Sequence, residues 1–205
     1  MNVTARPRHR RPPDEARGVS GNERLTALTG TLLLAGFAVE GVTLLRLGQL
    51  LTLHFFLGLL LIGPVLLKIG STGYRFTRYY TGAPAYVRKG PPAPPLRVLG
   101  PLVIVTSLAV LGTGVMLAIV GPASGPWLFL HKATFVLWFG VMTIHVLTYV
   151  WRLPRILLSP RTAELGVRAG AGWIRGLLVA VSLLGGLVIA LLLVHLVHPW
   201  EPGVR

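Results

Sequence analysis

The sequence has 205 residues, of which 53% are hydrophobic and only 13% are charged. This composition is too apolar for a soluble domain of that size and predicts a polytopic membrane protein. Cysteine is absent, which excludes disulfides, thiolate zinc sites, iron–sulfur clusters and the thioether attachment of c-type haem. A net charge of +14 would suggest nucleic acid in a soluble protein, but here the basic residues flank apolar segments, so we expect no nucleic-acid partner.

Five apolar segments are long enough to cross a hydrocarbon core of about 30 Å as helices. The fold is therefore predicted to be all-α, with five transmembrane helices. In chain order the segments are Leu25–Leu45, Leu50–Ile69, Val98–Val120, Trp127–Val150 and Trp173–Val197. The first is longer than the apolar stretch of a signal peptide and lacks a clear cleavage site, so we interpret it as a helix.

The distribution of lysine and arginine predicts the orientation of these helices. Seventeen of the 20 basic residues lie in three stretches, residues 1–24, 68–97 and 152–175. These are the N-terminal tail, the connection between the second and third segments, and the connection between the fourth and fifth, which share one side of the membrane. Because basic residues accumulate on the cytoplasmic side, we expect the N-terminus inside and the C-terminus outside. The chain is accordingly expected to be a multi-pass protein of a bacterial plasma membrane.

The chain is predicted to consist of an N-terminal tail, a transmembrane bundle and a short C-terminal tail. Residues 1–24 are rich in Arg and Pro and are predicted to be a disordered cytoplasmic tail, attracted to anionic lipid headgroups. Residues 25–198 form the predicted bundle, and residues 199–205 a short external tail. The longest connection, Ser71–Leu96, combines tyrosines with basic residues, which favours an interfacial belt over a docking surface for a redox partner or for haem propionates.

Two histidines in the fourth apolar segment have the spacing most indicative of function. His131 and His145 are fourteen residues apart, nearly four helical turns, so both rings project from one face about 21 Å apart along the axis. An ionisable ring in lipid is costly without a partner and is therefore a functional candidate. Two imidazoles stacked in this way are what a protein needs to hold two haems, one above the other.

His54 provides a counterpart for the outer of these histidines. It lies about one turn into the second helix, which runs parallel to the fourth, at the same external depth as His131. The two rings can ligate one haem iron from both sides, and such coordination favours electron transfer over oxygen chemistry. Gly58 leaves a bare strip of backbone that a flat macrocycle can approach. The Leu111–Gly114 and Gly185–Gly186 stretches serve either this purpose or close helix packing.

His145 lacks an equally clear counterpart. The position fourteen residues after His54, on the same face of the second helix, is Lys68. A neutral amine is able to ligate iron once desolvation has depressed its pKa. The simpler alternatives are that Lys68 reaches the cytoplasmic interface or pairs with a haem propionate. A hydrogen-bonded packing role for His145 also stays open.

Further ionisable residues lie at the external end of the bundle. Glu40 is expected at the depth of the outer histidines, where it either exchanges protons with a quinone or pairs with Arg46. His195 and His198 close the fifth helix. The favoured interpretation is that they are hydrated at the interface, with quinone binding and haem tuning as alternatives.

This histidine pattern resembles the bacterial membrane cytochromes b. The family includes formate dehydrogenase gamma subunits, the cytochrome b subunits of nickel–iron hydrogenases and small di-haem quinol-linked cytochromes. Its fourth helix supplies two haem ligands fourteen residues apart, which matches His131 and His145, and the start of its second helix supplies another, which matches His54. The resemblance covers roughly residues 24–198 and implies haem b as the cofactor.

One departure from the family concerns the cytoplasmic haem. In the family, the second ligand of the cytoplasmic haem typically comes from the start of the first helix. Here that region, Asn22–Leu28, contains no histidine. We therefore expect one haem, held by His54 and His131. A second haem depends on whether Lys68 assists His145 or His145 holds it alone.

The resemblance implies a membrane subunit that relays electrons between a quinone pool and a redox partner subunit, and not a complete oxidoreductase. The main alternative is a cofactor-free membrane anchor for a soluble partner, which would not need the histidine spacing. A small transporter is the least favoured hypothesis. Gly63 and Pro64 interrupt the second segment, but the membrane midplane carries no charge.

Overall fold

The computed structural model describes residues 14–90, 94–123, 125–152 and 172–200, and over this part of the chain it confirms the all-α prediction. The α-helices of the described residues are α1 (Asp14–Leu44), α2 (Leu47–Tyr80), α3 (Pro84–Lys89), α4 (Pro94–Val120), α5 (Gly125–Tyr149) and α6 (Gly172–Leu193). Two 3₁₀ segments, Val150–Arg152 and Val194–Trp200, follow α5 and α6. Every α-helix except α3 is long and apolar enough to cross a membrane, as predicted.

Helix α1 begins earlier than the sequence predicted. It starts at Asp14 instead of Leu25, so the prediction of a disordered tail is wrong for residues 14–24. Residues 1–13 of that tail lie outside the described residues, as do residues 201–205 of the predicted external tail.

Contacts with distant parts of the chain account for the early start of α1. Val19 is buried in a small apolar cluster with Tyr86 of α3. The Asn22 side-chain amide donates a hydrogen bond to the Ser71 backbone carbonyl at 3.0 Å. Because helix stability comes mostly from tertiary packing, these contacts extend α1 beyond its apolar stretch.

Helix α2 is the central element and packs against α1, α4 and α6. It is bent at Leu50, where φ is −112° and ψ is 18°, one turn before His54. Beyond this bend it stays helical through Gly63 and Pro64. The interrupted second helix on which the transporter hypothesis depended is therefore not found.

Helices α2 and α6 approach each other to backbone contact. Pro64 has no N–H, so the Leu60 carbonyl loses its partner within the helix. Gly186 lies against that carbonyl, and a Cβ at this position would collide with it. Gly63 lies as close to the Ser182 carbonyl. These glycines therefore serve close helix packing, which was one of the two expectations for the Gly185–Gly186 stretch.

Helices α4 and α5 form a second close pair. The Trp138 indole N–H donates to the Ser107 hydroxyl at 3.0 Å, and the Thr113 and Thr134 hydroxyl oxygens are 3.0 Å apart. Phe37 of α1 packs edge-on against Trp138, with 4.8 Å between ring centroids. Contacts thus run from α1 to α2, from α2 to α4, from α4 to α5 and back to α1, so these four helices form one bundle with α6 packed on α2.

The outward faces of the long helices are apolar. Val136 and Phe139 on α5 and Leu191 on α6 are 69%, 60% and 62% exposed. In water such a surface would be an aggregation liability, whereas in a bilayer it contacts acyl chains. The chain therefore has the construction of a multi-pass membrane protein.

Candidate functional site

The His54 ring is held through one of its two nitrogens by residues of α1. Its Nδ1 lies 2.9 Å from Glu40 Oε1 and 3.0 Å from Thr43 Oγ1. Because the Thr43 hydroxyl donates its hydrogen to the Glu40 backbone carbonyl at 2.6 Å, its oxygen is an acceptor toward the ring. Two acceptors at Nδ1 assign the proton to that nitrogen. Nε2 then presents a lone pair, the state a metal ligand requires.

His131 is held in the same manner by α4. Its Nδ1 lies 3.3 Å from Thr113 Oγ1, and the Thr113 hydroxyl donates to the Ala109 carbonyl at 2.7 Å. The threonine oxygen is therefore an acceptor toward Nδ1. The Val110 backbone carbonyl is a further hydrogen-bond acceptor for this ring, so residues of α4 orient His131 as residues of α1 orient His54.

The two outer histidines lie near each other, as the sequence predicted. His54 on α2 and His131 on α5 are close enough for their charges to interact, and both rings are partly buried. Over the described residues, the backbones of α2 and α5 do not pack closely together. Two imidazoles on facing helices form the minimal protein contribution to a six-coordinate haem.

Three buried polar atoms have no hydrogen-bond partner in the described residues. They are Glu40 Oε2, Trp200 Nε1 and His145 Nδ1. Glu40 lies beside His54, and Trp200 packs against Phe55, the residue after His54, with 6.2 Å between ring centroids. An unpaired buried polar atom costs about 1–3 kcal/mol, so the free Glu40 oxygen beside His54 fits a bound group with polar edges.

His145 occupies the inner level of the bundle. Its ring lies 4.8 Å from that of Tyr149 between centroids, and its Nδ1 is the buried atom without a partner. It interacts electrostatically with Lys68 of α2. The structure therefore brings together the second predicted pair as well as the first.

Lys68 reaches toward the beginning of the apolar part of α1. Its ammonium group donates to the Thr26 backbone carbonyl at 2.5 Å. Gly30, one turn later, makes room for it, because a Cβ there would come within 2.9 Å of Nζ.

Two glycines lie beside side chains of the outer site. A Cβ on Gly58 would lie 3.4 Å from Glu40 Oε1, and a Cβ on Gly114 would lie 3.0 Å from His131 Cε1. Each bare position therefore accommodates a side chain of the site.

The remaining ionisable residues at this end differ in their surroundings. Glu40 bonds to His54, whereas its predicted partner Arg46 is exposed. His195 and His198 are both exposed, which agrees with the favoured interpretation of hydrated interfacial residues. Sequence reasoning missed Thr43 and Thr113, because threonines are common in apolar helices and carry no periodic signal.

Comparisons with protein-family models, with curated proteins and with solved structures found no match to this chain. Among the described residues there is no group of three or more His, Cys, Asp or Glu side chains that could hold a metal ion. A haem requires only two axial side chains, because the porphyrin supplies the other four donors. The His54–His131 pair fits that requirement and does not fit a protein-only metal centre.

Proposed function

We propose that this chain is a haem b-containing membrane electron-transfer protein, with His54 and His131 as the two axial ligands. The observation that supports this most is the similar contact made by the two rings. Each has a side-chain oxygen of a neighbouring helix within hydrogen-bond distance of Nδ1, which favours Nε2 as the donor atom. A helix-packing histidine does not need its tautomer fixed from a second helix, whereas a metal ligand does.

The residues of the site determine what kind of chemistry it supports. His54 and His131 would hold the haem, which would supply a one-electron couple, and ligation by two imidazoles would favour electron transfer over binding of a substrate. Glu40 and Thr43 hold the His54 ring, and Thr113 holds the His131 ring, so little rearrangement accompanies a change of charge. This arrangement favours electron transfer over catalysis at the iron.

The inner pair offers a second haem position of different composition. His145 and Lys68 are neighbours at the opposite level of the bundle. For the amine to ligate iron it must give up its hydrogen bond to the Thr26 carbonyl, and as an ammonium group it would instead pair with a propionate. Two haems would carry electrons across the membrane, between a quinone pool and a redox partner subunit at the bacterial plasma membrane.

The first test is a dithionite-minus-oxidised spectrum of the purified protein, combined with the haem-to-protein ratio. We expect low-spin b-type bands and a ratio near one for the outer site alone. His54→Leu and His131→Leu should each lose this haem. His195→Leu is the matched control and should keep it, because His195 is exposed.

Two other outcomes have defined meanings. A ratio near two would assign a second haem to His145, and Lys68→Met should then reduce the ratio to one if the amine is a ligand. No haem in the unmodified protein, after expression with an adequate haem supply, would contradict the proposal. The cofactor-free membrane anchor would then be the better hypothesis.

A further inference from the structure

A cavity of about 90 Å³ lies where the beginning of α1, the end of α2 and α3 meet. It is lined by Gly18, Tyr74, Arg78, Ala83, Ala85 and Tyr86. Arg78 lies in the last turn of α2, and Ala83 precedes α3. None of the lining residues is a candidate haem ligand, so the cavity requires an explanation of its own.

The cavity presents hydrogen-bond donors above an apolar floor. Tyr86 is buried, with 6% of its surface exposed, and its ring meets that of Tyr74 edge-on at 6.2 Å. Burial raises the pKa of Tyr86, so this phenol stays protonated at neutral pH. Tyr74 and Arg78 are exposed at the mouth. One guanidinium and two phenols together suit an oxyanion ligand.

The acidic side chains that the structure describes leave Arg78 without a carboxylate partner. Glu23 pairs with Lys89 and, at 3.8 Å, with Arg75, and Glu40 pairs with His54, so neither Glu23 nor Glu40 pairs with Arg78. A cation at the mouth of a partly apolar cavity attracts an anion more strongly than one in open water.

The depth of the cavity indicates where this anion comes from. The predicted hydrocarbon-spanning part of α2 ends near Ile69. Tyr74 lies five residues later, about 7.5 Å further along the helix, and Arg78 about 13 Å further. The polar layer on each side of a bilayer is roughly 5–8 Å thick. Tyr74 is therefore at headgroup level, with the Arg78 side chain able to reach back to it.

We propose that this cavity binds the phosphate of an anionic phospholipid, with Arg78 and Tyr74 contacting the phosphate oxygens and the rings of Tyr74 and Tyr86 facing the glycerol region. A lipid source is favoured over free phosphate because the floor contains alanines and because the mouth lies at headgroup depth. The proposal does not depend on haem binding by this chain.

Native mass spectrometry of the purified full chain, titrated with phosphatidylglycerol or phosphatidylcholine, tests this site. We expect retention of phosphatidylglycerol in preference to phosphatidylcholine. Arg78→Gln should weaken that retention about tenfold or more, because a charge-assisted hydrogen bond is lost, and Tyr74→Phe roughly threefold. Both side chains are exposed, so neither substitution disturbs the core.

Arg88→Gln is the control, because it removes the same charge from the same end of the protein without touching this cavity. Equal losses in Arg78→Gln and Arg88→Gln would overturn the proposal and leave only diffuse attraction to anionic lipid. The proposal also fails if millimolar inorganic phosphate stabilises the protein through Arg78 while phosphatidylglycerol retention is unchanged in Arg78→Gln. That result would identify free phosphate as the ligand.

Discussion

At the scale of single residues, the outer site consists of two imidazoles and the groups that orient them. Glu40 has a special position among these groups, because its carboxylate is the strongest acceptor at His54 Nδ1. A carboxylate in this position increases the basicity of the ring and its preference for ferric over ferrous iron. Glu40 is therefore a positioning residue for the proposed haem, acting through His54.

Replacing Glu40 by Gln should keep the haem and raise its midpoint potential. If the ring loses about tenfold of its preference for the ferric state, the rise is about 59 mV. Potentiometric titration measures this shift, and the electron paramagnetic resonance spectrum should change with it. Arg46→Gln is the control because Arg46 is exposed. Equal potentials in the Glu40 variant and the unmodified protein would show that Glu40 does not tune the ligand.

At the scale of helices, the packing of α6 on α2 depends on two positions without side chains. Gly186 contacts the Leu60 carbonyl, whereas a Cβ on its neighbour Gly185 would meet no neighbouring atom within 4 Å. Replacing each glycine by alanine changes helix propensity by the same amount, but only the change at Gly186 affects the packing of the two helices. Comparing the two variants therefore isolates the effect of close packing.

Gly186→Ala should lower the free energy of unfolding by about 1–3 kcal/mol, because a methyl group forces the two helices apart. Gly185→Ala should be neutral or slightly stabilising, since alanine favours the helix and meets no neighbour. Thermal unfolding in a fixed detergent, followed by circular dichroism, compares the two. Equal changes in both variants would mean that α6 is not seated on α2 as described.

The sequence was a good guide to helices and a poorer one to their ends. Long apolar runs predict spans because a bilayer requires about 20 apolar residues. The start of α1 and the whole of α3 depend instead on packing between Val19 and Tyr86, which no local pattern encodes. Likewise, spacing predicted the outer histidine pair, but it could not predict that Thr43 and Thr113 would orient the two rings.

At the scale of the whole molecule, five membrane crossings would place the two termini on opposite sides of the membrane. The excess of lysine and arginine on one side predicts that the C-terminus is outside. Alkaline phosphatase fused after Arg205 should therefore be active, and the same enzyme fused within the Ser71–Leu96 connection should be inactive. The reverse pattern would invert the assignment of the outer and inner sites.

The length of α2 has a mechanical consequence. Its 34 residues extend about 50 Å, well beyond a hydrocarbon core of about 30 Å, and the bend at Leu50 lies before His54. His54 and Lys68 therefore lie on one uninterrupted helical segment. A bilayer of different thickness changes the tilt of such a helix, because tilting relieves hydrophobic mismatch. We therefore expect the position of His54 relative to His131 to vary with the thickness of the membrane.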